Sequence, residues 1–143
     1  MNVYNFTLDY RLAADCHQLG VLDGAELLLL NNANFPWFIL VPHTGHTEFF
    51  ELGRTEQQTL LASINALSVF IKHEFSSDKL NIATIGNIVK QLHIHIVGRA
   101  RDDVCWPGVV WGTKQRVDYA MPEVERIRAL LTDQLGESFI TDR

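Results

Sequence analysis

The chain has 143 residues, 47% of them apolar and 20% charged, a composition that suits one globular domain with a real core and excludes both disorder and two full-sized domains. The formal charge is −5 with no Lys/Arg cluster, which argues against a long nucleic-acid footprint but leaves room for a single nucleotide. No apolar run approaches the ~20 residues of a membrane span, the N-terminal stretch has no signal-type apolar core, and Cys16 and Cys105 lie far apart without CxxC spacing. A reduced, soluble, cytoplasmic protein is expected, with no membrane and no nucleic-acid polymer among its partners.

In chain order, Phe6 to Asp9 suits a short strand and Tyr10 to Cys16 a helical turn, with Gly20 and Asp23-Gly24 marking turns. Ala25 to Leu30 is a short apolar run, bounded by Asp-Gly and by the Asn31-Asn32-Ala33-Asn34 cluster, and reads as a buried strand. Pro36 to Pro42 sets aromatic and β-branched residues between two prolines, which predicts a second strand paired to the first across the asparagines. After the His43 to Thr47 loop comes the clearest helix. Thr55-x-x-Gln58 has capping-box form, and Leu60, Ile64, Leu67 and Ile71 follow at helical spacing, predicting a helix over 56–75. Lys79 to Ile85 and Val89 to Val97 read as strands around Gly86-Asn87. Residues 106–112, with two tryptophans and an interior proline, suit an irregular flap or an interface, and Pro122 opens a second helix that ends at Gly136. Antiparallel strands with helices on one face make the chain a single α+β domain over residues 1–143.

The chemistry concentrates in Gln91-Leu92-His93-Ile94-His95-Ile96-Val97-Gly98-Arg99. On an extended backbone the alternation sets Gln91, His93 and His95 on one face at roughly 6–7 Å steps, close enough for neighbouring imidazoles to serve one substrate group. The run resembles the signature of the histidine triad (HIT) nucleotide hydrolases and transferases, His-φ-His-φ-His-φ-φ with φ apolar. Gln91 stands at the first position, His93 at the middle and His95 at the third. Asn81 and Asn87 fall ten and four positions ahead of Gln91, where that family carries amide residues.

The resemblance, which spans Leu27 to Arg99, implies a HIT-like fold: a mostly antiparallel sheet of about five strands with two helices. It implies a nucleotidyl hydrolase or transferase acting on a nucleoside phosphoramidate or a dinucleoside polyphosphate, without metal or other cofactor, as a homodimer. His93 would attack the α-phosphorus to form a nucleotidyl-histidine, as a neutral imidazole can near physiological pH. A backbone carbonyl at the first motif position would hold its other nitrogen, and His95 would contact phosphate oxygens. Asn87, Asn81 and Gln91 are the phosphate-binding candidates, with turn chemistry beside Gly86 as the alternative for the two asparagines. Asn31, Asn32 and Trp37 are the nucleoside-binding candidates, a core role being the alternative for Trp37.

Three positions depart from the family pattern. Gln91 can be neither acid nor base, Trp37 stands where relatives often carry a further histidine, and Asn31 or Asn32 replaces an acidic residue on the ribose. Two rival functions follow. One is a nucleotide-binding module with little turnover. The other is a cupin-like metal-dependent enzyme using His43, His46, His93 and His95, since His-x-x-His plus His-x-His is a metal-ligand inventory.

Overall fold

The computed structural model describes residues 6–142. Helix α1 (Tyr10–Asp15) leads into β1 (Cys16–Leu22), β2 (Ala25–Leu30) and β3 (Trp37–Pro42). The long helix α2 (Arg54–Glu74) crosses to β4 (Lys79–Ala83) and β5 (Ile94–Arg99), and α3 (Met121–Leu135) precedes a short final strand, β6 (Phe139–Thr141). The strands form one antiparallel sheet in the order β4-β5-β3-β2-β1-β6.

Local chemistry accounts for the joints. The β1–β2 turn is Asp23-Gly24, with φ of 45° and 82°, the positive pair that a two-residue hairpin turn matching strand twist requires. β2 and β3 pair from Ala25↔Pro42 to Leu29↔Phe38, so the asparagine cluster is their loop, as expected. Helix α2 starts earlier than Thr55. Its N-cap is Gly53, whose N–H donates to Glu56 Oε1 at 3.2 Å, so Glu56 rather than Gln58 reaches back over the first turn.

Both faces of the sheet are covered, and unequally. Leu27, Leu29, Phe38, Leu40, Ile94 and Ile96 form the main core with the apolar stripes of two helices: Leu60, Ile64, Leu67 and Ile71 of α2, and Val124, Ile127 and Leu131 of α3. The alternate residues Leu28, Trp37, Ile39, Val41 and Val97 form a smaller core with Leu12, Phe35 and Val110. Among the described residues no long helix covers that second face. It is roofed by the short α1 and by the long 100–120 connection, and it is the face that carries His95.

Three expectations are corrected. The sheet has six strands where about five were expected, because residues 16–22 and 139–141 add β1 and β6 while residues 6–9 contribute none, and the expected helical turn at 10–16 forms the short α1 beside the two longer helices. Residues 6–9 are not a strand; they run unpaired beside residues 88–91. The motif strand begins at Ile94 rather than Val89: β4 ends with the pair Ala83↔His95, and pairing to β3 stops at Leu40↔Ile94 although β3 runs on to Pro42 beside β2. Gln91 and His93 therefore sit on an irregular approach to the strand. No helix among the described residues is long and apolar enough to cross a membrane.

Candidate active site

The approach to β5 places two imidazoles side by side. His93 and His95 are 6% and 7% exposed, their ring centroids are 4.9 Å apart, and the rings stand nearly edge to face. His93 Nδ1 lies 2.6 Å from the Gln91 carbonyl oxygen. Since a carbonyl only accepts, Nδ1 carries the proton and Nε2 keeps its lone pair free. Backbone geometry thus fixes the tautomer of a nucleophile, whatever side chain residue 91 bears.

The second imidazole is fixed from β3. Trp37 Nε1–H donates to His95 Nδ1 at 2.9 Å in a buried contact, so the proton of His95 resides on Nε2. Burial, with the neighbouring His93 adding to it, pushes the His95 pKa down to about 4, leaving a neutral N–H donor. Trp111 closes the cage, its ring 5.4 Å from His95 and 5.9 Å from Trp37. Trp37 itself is 6% exposed and packs on Phe35. Its side chain is thus committed to the core and to His95, and only its margin reaches the cavity described below.

Two clefts meet this row of rings. One, of about 300 Å³, is lined by Thr47, Glu48, Thr84, Lys90 and His93. The other, of about 180 Å³, lies between Asn31, Asn32, Trp37 and residues 112–116. Trp37 and His93 are hydrogen-bonded or stacked to the same His95, so the clefts approach it from different ends.

The amides occupy other posts than the sequence suggested. Gln91 Nε2 donates to Thr7 O at 2.8 Å and Gln91 Oε1 accepts from Asp9 N–H at 2.8 Å. Its side chain clamps the N-terminal segment, Arg11 reinforces the clamp through Ile88 O at 3.1 Å, and the residue also lines the larger cleft beside His93. Asn81 lies on β4 with its Oδ1 accepting from Arg99 Nη1 at 2.9 Å. Asn87 is exposed in the 84–93 connection. Asn32, 4% exposed, donates to Gln115 O at 2.9 Å and accepts from Asn34 N and Nδ2. Asn31 Oδ1 accepts from Tyr119 N–H at 2.9 Å and contacts His17 Nε2 at 3.1 Å. Both asparagines are anchors for the 113–119 segment that walls the smaller cleft.

Sequence reading passed over Arg99 and Asp103. Arg99 is 2% exposed, bonded through Nε and Nη2 to both Asp103 oxygens at 2.8 and 3.0 Å, with Phe35 and Trp106 beside its guanidinium. Burial works against the Asp103 carboxylate, yet Arg99 and the N–H groups of Ala100 and Cys105 together hold its pKa below the usual range. The pair ties the roofing loop to the end of β5. A lone Arg closing an apolar strand, four residues before an Asp, was the available signal.

The rival metal site does not assemble. His43 Nε2 contacts Glu26 at 2.6 Å and its ring stacks on Phe6, while His46 is exposed on the loop. No group of three or more His, Cys, Asp or Glu able to hold a metal occurs among the described residues.

A six-stranded antiparallel sheet with a buried histidine pair, on the face that no long helix of the described residues covers, defines the class, and comparison with known proteins agrees. Residues 11–102 match the HIT domain family model, and the chain belongs to the HIT family, whose members are generally nucleotide hydrolases and transferases. The solved structure of a histidine triad protein from Sinorhizobium meliloti 1021 superposes with a TM-score of 0.89 at 34% identity, over 93% of this chain and 99% of that one. A histidine triad protein from Marinobacter aquaeolei VT8 gives 0.86 at 41% identity, over 91% and 96%, and one from Bradyrhizobium japonicum 0.86 at 35%, over 90% and 97%. No curated protein matches the sequence. The cupin-like alternative is thereby set aside on fold as well as on the scatter of its four histidines.

Proposed function

We propose that the protein is a nucleotidyl hydrolase or transferase that works through a covalent nucleotidyl-His93 intermediate. The observation that carries the reading is the 2.6 Å contact from His93 Nδ1 to the Gln91 carbonyl, which leaves Nε2 as a free nucleophile and stabilises the positive charge that appears on the ring when Nε2 bonds to phosphorus. His95 Nε2–H is the neighbouring donor for a phosphate oxygen in the transition state. Asn87, exposed and close in sequence to Gly86, is the remaining amide for the phosphate, whereas Asn81 contributes through Arg99. The nucleoside belongs in the cleft beside Trp37, whose wall Asn31 and Asn32 hold in place. The reading needs no metal.

The homodimer that the family resemblance implies belongs to the same proposal; exposed Val104 and Val109 on the roofing loop support it, and a monomer in sedimentation at micromolar concentration would count against it. A binding module with slow turnover is the second reading, favoured by the commitment of both ends of the Gln91 side chain to residues 7 and 9.

Intact-protein mass spectrometry separates the two. Brief mixing with adenosine 5′-phosphoramidate or a diadenosine polyphosphate, quenched in alkali to preserve phosphohistidine, should give a nucleotidyl adduct in wild type and none in His93→Ala. Retained binding with no adduct and no product would establish the module instead.

A further inference from the structure

We infer that the protein has a second ligand site, on the opposite face of the sheet from His95, which takes a small organic cation: an amine joined through an apolar body to a hydroxyl, of arylalkylamine size. The inference stands independently of the nucleotidyl-transfer reading.

The site originates in the stripe of α2. Leu60, Ile64, Leu67 and Ile71 present apolar side chains to the main core, and Ser63 stands among them, 2% exposed. A serine fills less space there than the Leu or Ile that the stripe calls for, and burying its hydroxyl without a hydrogen bond is costly. Ser63 lines a cavity of about 240 Å³ at the end of the core, whose apolar surface comes from Ala25 of β2, Pro42 of β3 and Leu60 of α2.

Polar atoms of the wall are left without partners. Ser63 Oγ is buried and has no hydrogen-bond partner among the described residues, and the same holds for Nδ1 of His43, a second residue of the wall. His43 Nε2 is held by the Glu26 carboxylate at 2.6 Å, so the remaining hydrogen-bonding capacity of the ring lies on Nδ1. Native interiors pair nearly all such atoms. Two orphans in the lining of one cavity point to a ligand with a hydroxyl, which both donates and accepts.

The charge of the ligand is set at the mouth. Asp23 of the β1–β2 turn and Glu56 of the first turn of α2 line the same cavity, and no Lys or Arg among the described residues does. Neither carboxylate takes part in an ion pair among those residues. Glu56 Oε1 accepts only the neutral Gly53 N–H, so its charge is not offset. Together they attract a cation and repel an anion, which disfavours a nucleotide here. As for size, a cavity of about 150 Å³ holds a benzene ring; the larger volume here adds room for a short aminoalkyl chain.

The test is calorimetry and amide NMR of the full chain with three probes that share one body: tyramine, phenethylamine, which lacks the hydroxyl, and 3-(4-hydroxyphenyl)propionate, which exchanges the amine for a carboxylate. Tyramine should bind with a Kd on the order of 0.1–1 mM, typical of about ten heavy atoms, and shift amides of residues 23–25, 42–43 and 55–63. Phenethylamine should bind about fivefold more weakly, the usual worth of one hydrogen bond, and the carboxylate at least about tenfold more weakly than tyramine. Ser63→Ala removes an unpartnered hydroxyl and should not lower stability; it should bring tyramine down to the affinity of phenethylamine and leave phenethylamine unchanged. Asp23→Asn combined with Glu56→Gln keeps the turn and the capping acceptor, and should weaken both amines about fivefold while removing their salt dependence. No saturable binding of either amine at about 10 mM, well above the expected range, overturns the inference. So do a carboxylate that binds as well as tyramine, a tyramine affinity indifferent to Ser63→Ala, and shifts centred on residues 84–93. Should the double variant misfold, the comparison of amine with carboxylate on wild type still decides the charge.

Discussion

Replacing Asn32 with Ala distinguishes a wall anchor from a ribose ligand. The buried carboxamide donates to Gln115 O at 2.9 Å and accepts from Asn34 N at 3.2 Å, Asn34 Nδ2 at 3.0 Å and Val117 N at 3.4 Å. Deleting it removes two good hydrogen bonds and two weaker ones. At about 0.5–1.5 kcal/mol for each typical bond, and with Asn34 Nδ2 able to find water, the expected loss is about 2–3 kcal/mol. That is well below the ~5–15 kcal/mol by which a domain is usually stable, so the variant should stay folded. Ala33 N–H still donates to Val117 O, so the segment loosens and does not detach. Urea denaturation should report the loss, and hydrogen exchange should speed up at residues 113–119 while the main core stays protected. Nucleotide affinity should fall only as a consequence of the loosened wall. Unchanged stability and exchange, combined with a large loss of nucleoside affinity, would refute the anchor assignment and return Asn32 to the ribose.

Gly98→Ala should destabilise by about 2–4 kcal/mol in chemical denaturation, because a Cβ there would strike Ser77 Oγ, stand 2.7 Å from Pro36 Cγ and 2.8 Å from Ile71 Cγ2, and only the serine can easily yield. Asp103, 6% exposed in its side chain, has a folded pKa held below its unfolded one. Its contribution is therefore complete above about pH 4, the unfolded value, and is lost as pH falls through the folded value. Asp103→Asn should remove that acid-side component from stability measured against pH, and Arg99→Ala, which strands a buried carboxylate, should cost about 3–5 kcal/mol near neutrality. For His95 the proton binds the unfolded chain first. Stability should decline from about pH 6.5 down to the folded value of about 4, by about 3 kcal/mol at 1.36 kcal/mol per unit, and His95→Gln should flatten that decline.

The legible parts of the sequence were those where one signal sufficed. The 25–30 and 37–42 hairpin announced itself by apolar runs around an asparagine cluster, α2 by its stripe, and α3 by Pro122 in its first turn. What escaped depended on partners distant in the chain. β1 contains His17, Gln18 and Gly20, and Gly20 read as a turn; in the fold it is a close approach, where a Cβ would meet Phe139 at 2.9 Å as β6 docks. The motif strand kept its alternation to Val89, yet pairing ceased at Ile94, where β4 has ended and the chain leaves β3, which continues to Pro42 beside β2. Site residues divided likewise. The side-by-side placement of His93 and His95 followed from spacing. The posts of Gln91, Asn31, Asn32 and Asn81 did not, because each amide bonds to a group between 18 and 88 positions away.

Gln91 and Trp37 flank the His93–His95 pair, and both bond within the protein. The first motif residue serves His93 through its backbone carbonyl alone, so the side chain at 91 is released for another task; the amide uses both its ends to hold residues 7 and 9 against the approach strand. Trp37 is 6% exposed, and its one donor is spent on His95. A histidine at either position could change its charge with pH. Glutamine and tryptophan cannot, so the pair His93–His95 is set among contacts that fix both tautomers.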